Sequence, residues 1–333
     1  MRKIVLVGGL GFIGHNLATF LKSKGHEVTI IDSLGVNNIL NFNDSDILNK
    51  ELYRAILNNR IDIANDNNIK IVVEDARNYH QLTRIIKNLN PEIIVHLAAV
   101  SHANRSNKTP HDTFDHSLRT LENILDISKD LGCRLVYMSS SMVYGDFNGK
   151  SVTEETICKP KGIYGTLKYA GELMVKSYSE VFGLPYSIVR PSALYGERCV
   201  SRRVGQIFIE NIIQGKEIVI NGDGNEKLDF TYILDLVDGI EKCCISDKAE
   251  NEIFNITFGQ GRMINDLIDI LRDEFKEVKI RYNERDNLMP ERGTLSNQKS
   301  INFLGYKSKF PIEKGYLQYI KWYKEFWGNH KKN

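Results

Sequence analysis

The chain predicts an α/β fold, a doubly wound parallel sheet followed by a smaller C-terminal domain. Three observations predict it. A β-branched run is followed at once by a glycine-rich turn and a helical stretch. A second strand ends in an acid about 20 residues further on. Short, nearly continuous apolar runs then alternate with helical patterns, as strands do when helices cover both faces of a parallel sheet.

The first strand is Lys3-Ile-Val-Leu-Val7, the turn is Gly8-Gly-Leu-Gly11-Phe-Ile-Gly14, and the helical stretch is His15 to Lys24. Such glycines permit a tight turn, a close backbone approach to a pyrophosphate, and close packing of helix on strand. Phosphates then sit on the helix N-terminus, where unpaired N–H groups and the macrodipole favour anions. Gly8, Gly11, Phe12, Ile13 and Gly14 are therefore candidate dinucleotide contacts. The second strand, Val28-Thr-Ile-Ile-Asp32, ends in an acid that can accept from a ribose 2′-hydroxyl and would repel a 2′-phosphate, which argues for NAD over NADP. Asp32 could also start the turn at Ser33-Leu34-Gly35, and the two roles are compatible.

Further strands are read at residues 69–73, 92–96, 134–138, 186–190 and 252–256. Helices are read at 78–89, 114–131 and 165–182. Between Val36 and Asn68 the chain is rich in Asn and Asp; a helix is expected around Asp46–Asn58, and no chemistry is visible there. From Pro191 the pattern loosens into loops around one helix, Val204–Gln214. A C-terminal aromatic stretch (Tyr316, Tyr319, Trp322, Tyr323, Phe326, Trp327) has the spacing of a docked amphipathic helix. The division expected is a dinucleotide-binding (Rossmann) domain over 1–190, with later returns near 230–260, and a mainly substrate-binding domain over 191–333.

At 333 residues, 42% of them hydrophobic, the chain can bury a large core. A net charge of +2 gives no electrostatic reason to expect nucleic acid or membrane as partner. The five cysteines are scattered, without metal spacing or disulfide density, as in a reduced cytoplasmic protein. Glycines break the apolar start, so it does not read as a signal peptide, and no stretch approaches the roughly eighteen apolar residues of a membrane span.

Further motifs accompany the glycine turn: Asp75-Ala76, His96-Leu-Ala-Ala99, Ser139-Ser-Ser-Met-Val-Tyr-Gly145, Tyr164-Gly-Thr-Leu-Lys168, Arg190-Pro-Ser-Ala-Leu-Tyr-Gly196, Gly222-Asp-Gly224 and Leu228-Asp-Phe-Thr-Tyr-Ile-Leu-Asp235. In combination, and over nearly the whole chain, they resemble the extended short-chain dehydrogenase/reductases, and within them the nucleotide-sugar epimerases, dehydratases and dehydrogenases. The resemblance implies that NAD is also met by Asp75, Ala76, Leu97, Ala98 and Ala99. It implies that Tyr164 is a catalytic base, Lys168 its electrostatic partner and a cofactor contact, and Ser140 a donor to the same sugar oxygen, usually at C4. Lowering a phenol from about 10 to about 7 requires about 4 kcal/mol, and one nearby opposite charge supplies about one to three units. Lys168 and a positive nicotinamide ring together suffice, and the four-residue spacing puts Tyr164 and Lys168 on one helix face. Ser101, Ser141 and Met142 are expected beside the sugar.

The departures narrow the reading. The 4,6-dehydratases carry an acid/base pair after the catalytic Ser or Thr, where this chain has Ser141 and Met142, so loss of water is not expected. Sugar-nucleotide epimerases usually have Asn at Ala193 and Arg at Leu228. Arg203 and Arg292 are the candidate replacements for holding a diphosphate, because a guanidinium binds it bidentately; Arg202 could serve or be a solvated charge. The segment Cys199–Val204 is similar to that of the GDP-mannose dehydratases, and the Ser-rich and Arg-Pro motifs resemble the GDP-heptose 4-dehydrogenases of surface-polysaccharide pathways. A GDP-linked hexose or heptose oxidised at C4 is the first expectation, a 4-epimerase the second, and a non-catalytic dinucleotide sensor the third. His116 stands where the family has a helix Asn near the active site, and reads first as a part-buried helix residue. The family also implies a homodimer through the helices 114–131 and 165–182. The stripe Leu118, Leu121, Ile124 and Leu125 could face that partner or pack on the sheet.

Overall fold

The computed structural model describes residues 1–42, 48–101, 103–285 and 289–330. Seven strands form one sheet: β1 (Lys3–Val7), β2 (Glu27–Asp32), β3 (Lys70–Val73), β4 (Ile93–His96), β5 (Arg134–Met138), β6 (Tyr186–Arg190) and β7 (Glu252–Asn255). Their spatial order is β3-β2-β1-β4-β5-β6-β7, with every pairing parallel. The runs read from sequence match these strands to within one residue at either end. Strand order reverses between β1 and β4, which opens a crevice at their carboxyl ends.

Nine helices carry much of the rest: α1 (Phe12–Ser23), α2 (Lys50–Asp66), α3 (Tyr79–Leu89), α4 (Thr120–Leu131), α5 (Gly162–Phe182), α6 (Val204–Ile213), α7 (Ile233–Ile245), α8 (Ile264–Glu274) and α9 (Ile312–His330). One apolar layer joins Leu6 and Ile30 of the sheet to Leu17 and Leu21 of α1 and Leu236 and Ile240 of α7. The other joins Val7 and Ile94 to Leu82 of α3, Leu121 and Ile124 of α4, and Val175 of α5. With both faces covered, the central strands consist almost wholly of Val, Ile and Leu. Leu118, Leu121, Ile124 and Leu125 pack into this second layer, which settles their stripe as a sheet-facing one.

The expected helix 114–131 is interrupted. Residues Asp115–Arg119 form a π turn ahead of α4, a widening that often marks a functional site. The helix expected around Asp46–Asn58 runs instead over Lys50–Asp66, and residues 46 and 47 lie outside the described ones. Its buried stripe of Leu52, Tyr53, Ile56, Leu57, Arg60 and Ala64 continues past Asn58, so packing extends the helix where the polar composition suggested an end.

Beyond Pro191 the chain is more regular than its sequence suggested. Helix α7 is buried on most sides, with nine residues inside; Asp235 and Glu241 are buried while Leu234 and Ile245 are exposed, so polar and apolar residues do not divide cleanly between its faces. Gly239 is required in it because a Cβ there would stand 2.2 Å from the Ile256 side chain. Helix α8 buries Ile264, Leu267, Ile268 and Leu271 at helical spacing. The aromatic tail docks as expected, with Tyr316, Tyr319, Ile320 and Tyr323 fully buried along α9.

Candidate active site

A cavity of about 520 Å³ opens at the carboxyl ends of the strands, and all the cofactor and substrate positions singled out from sequence line it. On one side is the glycine turn. Gly8 has φ +82, and a Cβ there would lie 2.6 Å from the Ala98 nitrogen; one at Gly14 would lie 2.5 Å from the Gly9 backbone. Gly11 caps α1 without any side-chain hydrogen bond, so the first-turn N–H groups are left for an anion. Asp32 starts the turn, the second of the two roles foreseen for it. Its carboxylate accepts from Leu34 N–H at 2.8 Å, starting the turn, and from Leu10 N–H at 2.9 Å, while it lines the cavity. Burial raises its pKa, and these bonds oppose the rise. Asp75 is engaged by Arg77 at 2.7 Å; burial works to raise its carboxyl, but the guanidinium holds it below its ordinary value.

The middle wall is built by the end of β5 and by α5. Tyr164 and Lys168 project from successive turns of α5. Lys168 is 7% exposed and donates from Nζ to the Met138 carbonyl at 2.6 Å. Burial pulls its pKa down to about 8, and the charge of Glu172, one turn on, opposes that fall. Ser140 caps the short turn Ser141–Tyr144, its Oγ accepting from Met142 N–H at 3.2 Å. Its hydroxyl lies beside the Tyr164 phenol on the cavity wall. Burial raises the phenol's pKa, while the charge of Arg203 and the neighbouring Ser140 hydroxyl act downward.

Beneath this wall Glu172 is fully buried. It accepts from Ser139 Oγ at 2.5 Å, from Arg190 Nε at 2.9 Å and from Arg190 Nη2 at 2.6 Å. Arg190 also donates to the Tyr144 hydroxyl at 2.9 Å. The ends of β5 and β6 are thereby fastened to α5.

The far wall carries Arg203, the N-cap of α6, and Arg292. The Nε atoms of both are buried without a hydrogen-bond partner among the described residues. Burial lowers Arg292 to about 10, with Glu226 opposing and Arg203 adding to the fall. Two guanidiniums so placed favour an anion between them. Arg202 is otherwise employed, donating to Tyr53 Oη at 3.2 Å beside Glu210. Leu228 is a buried apolar wall residue, and Ala193 has a left-handed φ of 32. His116 lines the cavity from the π turn, half-buried; burial, and then Arg77, lower its pKa against Asp75 and Asp115.

The sequence profile described as "NAD dependent epimerase/dehydratase family" matches residues 4–257. The chain belongs to that family. It is thus an enzyme with NAD as its cofactor, and the glycine cradle, the open start of α1 and Asp32 fit that dinucleotide. A putative UDP-glucose 4-epimerase of Methanocaldococcus jannaschii is 28% identical, over 96% of this chain and 98% of the relative. A UDP-glucuronate 4-epimerase of Thermodesulfobacterium geofontis is 28% identical, over 98% and 97% respectively. The crystal structure of UDP-glucuronic acid 4-epimerase from Bacillus cereus, in complex with UDP-glucuronic acid and NAD, superposes with a TM-score of 0.87 at 23% identity, covering 97% of this chain and 99% of that one.

For this family member, sequence reasoning missed Arg60, which lines the cavity from α2, and Glu172. Arg60 had a signal, being a charged residue in register with an apolar stripe. Glu172 also had one, standing a further helical turn along from Tyr164 and Lys168.

Proposed function

We propose that this enzyme oxidises C4 of a nucleotide-diphosphate sugar. One observation carries the reading. Tyr164 and Ser140, with Lys168 one turn along from Tyr164, share a cavity with two arginine Nε atoms, Arg203 and Arg292, that have no partner among the described residues. When bound, NAD supplies the acceptor for the hydride of C4. The chain does the rest. Tyr164, as phenolate, takes the C4 hydroxyl proton. Ser140 has an oxygen lone pair engaged by Met142 N–H and turns its own proton to the substrate oxygen. The charges of Lys168 and Arg203 favour the phenolate. Arg203 and Arg292 hold the diphosphate.

Ser141 and Met142 offer no acid or base to the sugar, which argues against loss of water. For the finer reaction we favour net oxidation of a GDP-linked hexose or heptose to a 4-keto sugar for surface polysaccharide. Its support is that Ala193 and Leu228 replace the Asn and Arg usual in sugar-nucleotide epimerases. The second reading is 4-epimerisation of a UDP-sugar by the same three residues, favoured by relatives that bear that name. Incubation with GDP-, UDP-, CDP- and dTDP-sugars, read by mass and NMR, separates these. A product lighter by two hydrogens supports oxidation, and an epimer of unchanged mass supports the second reading. A product lighter by one water overturns both.

A further inference from the structure

Arg60 links the two ends of the cavity. It lies on α2, in the segment between β2 and β3, and is 1% exposed. Its Nη1 donates to the carbonyl of Leu10 at 3.0 Å. Its Nε and Nη2 both donate to the carbonyl of Arg198, Nε at 3.2 Å. Leu10 belongs to the glycine turn, and its N–H is already held by Asp32. The two successive peptides that flank the Leu10 Cα are thus each held by a cavity-lining side chain, Asp32 on one and Arg60 on the other. Arg198 belongs to the loop that runs from Gly196 to Arg203.

That loop is strained. Arg198 has φ 64 and Arg202 φ 51, in the left-handed region that side chains rarely adopt. Such conformations persist only where the surroundings over-determine them. At Arg198 these surroundings include α2: Arg60 holds its carbonyl, and Asn59 accepts from its Nε at 2.7 Å. The loop then delivers Arg203 to the cavity wall.

We propose that Arg60 is a positioning residue that ties cofactor occupancy at the glycine turn to the conformation of loop 196–203. The proposal rests on the reading that this loop faces the second ligand, but its test needs no sugar nucleotide. A dinucleotide settled on the Gly8–Gly14 turn and Asp32 further restrains the two peptides that flank Leu10. A fixed Leu10 carbonyl fixes Arg60, and Arg60 fixes the Arg198 carbonyl and the bend that presents Arg203.

The loop contains three trypsin sites, Arg198, Arg202 and Arg203. Cleavage there and amide exchange over 196–203 are measured on the full chain with and without saturating NAD. The wild type should be protected by about fivefold or more on adding NAD. Arg60→Met should still bind NAD in equilibrium dialysis yet lose this protection, whereas Tyr164→Phe should retain it. If Arg60→Met does not fold, the wild-type exchange decides, because Leu10 and residues 197–203 must slow together. Protection that survives in Arg60→Met, or a wild-type loop indifferent to NAD, overturns the proposal. An inactive Tyr164→Phe with an unresponsive loop would leave the catalytic reading intact while removing this one.

Discussion

At the scale of single residues, Lys168 shows how the site sets its own pH behaviour. Burial brings its ammonium from the ordinary 10.5 down to about 8 while Glu172 resists. The unfolded chain therefore holds this proton to a higher pH than the folded one. Between pH 8 and 10.5 the Lys168 contribution makes NAD-free stability rise with pH. Urea unfolding at both ends of that window should show the rise in wild type and its loss in Lys168→Met; an equal rise in both would refute it. Tyr164→Phe should bind NAD but lose turnover by several orders of magnitude, since general-base help alone contributes about 10²–10⁴. A variant that kept a tenth of wild-type turnover would show the base to be elsewhere. Asp32→Ala should relax the preference for NAD over NADP, with unchanged discrimination assigning the ribose contact to another group. These residues could be read in the sequence because their meaning lies in fixed local spacing, as a turn, a strand end or one helical step. Arg60 and Glu172 take their meaning from partners such as Arg198 and Arg190, which sequence does not place beside them.

Among the elements, α5 does two tasks, presenting Tyr164 and Lys168 and clamping two strand ends through Glu172. The Glu172–Arg190 pair is almost fully buried, at 0% and 2% side-chain exposure. Removing one partner of such a pair leaves a buried charge unmatched, at a cost of about 3–5 kcal/mol. Glu172→Gln should therefore lower the denaturation midpoint sharply, and Glu172→Gln combined with Arg190→Met should recover part of the loss. A single variant as stable as wild type would mean that water or another group already solvates Arg190. Strands were the most legible elements, because a sheet covered on both faces demands continuous apolar runs. Helices α7 and α8 were not foreseen. The first buries two acids and exposes Leu234 and Ile245, which blurs its period, and for the second the looseness of the surrounding loops masked a regular one. The π turn at Asp115–Arg119 has no sequence pattern of its own, yet it sets the position of His116.

For the whole molecule, periodicity told that a helix face is covered but not by what, and α4 and α5 divide on that point. The stripe of α4 is spent on the sheet. Helix α5 also carries apolar residues away from the side that buries Lys168, Glu172 and Val175: Ala170 and Met174 are partly buried against the second layer, while Ile163 and Val181 are exposed, Val181 at 65%. Phe182 and Leu173 beside it are also half-exposed. A helix apolar on two sides is ordinarily covered on both, and exposed apolar patches of this kind mark association sites. We therefore expect a homodimer in which α5 meets its two-fold copy. Light scattering at micromolar concentration should give about twice the 38.1 kDa chain mass, and Leu173→Glu with Val181→Glu, both at exposed positions, should return it to the monomer without disturbing the buried face of α5. A wild-type monomer mass would sink the expectation, and a dimer that survives both glutamates would place the interface on another surface.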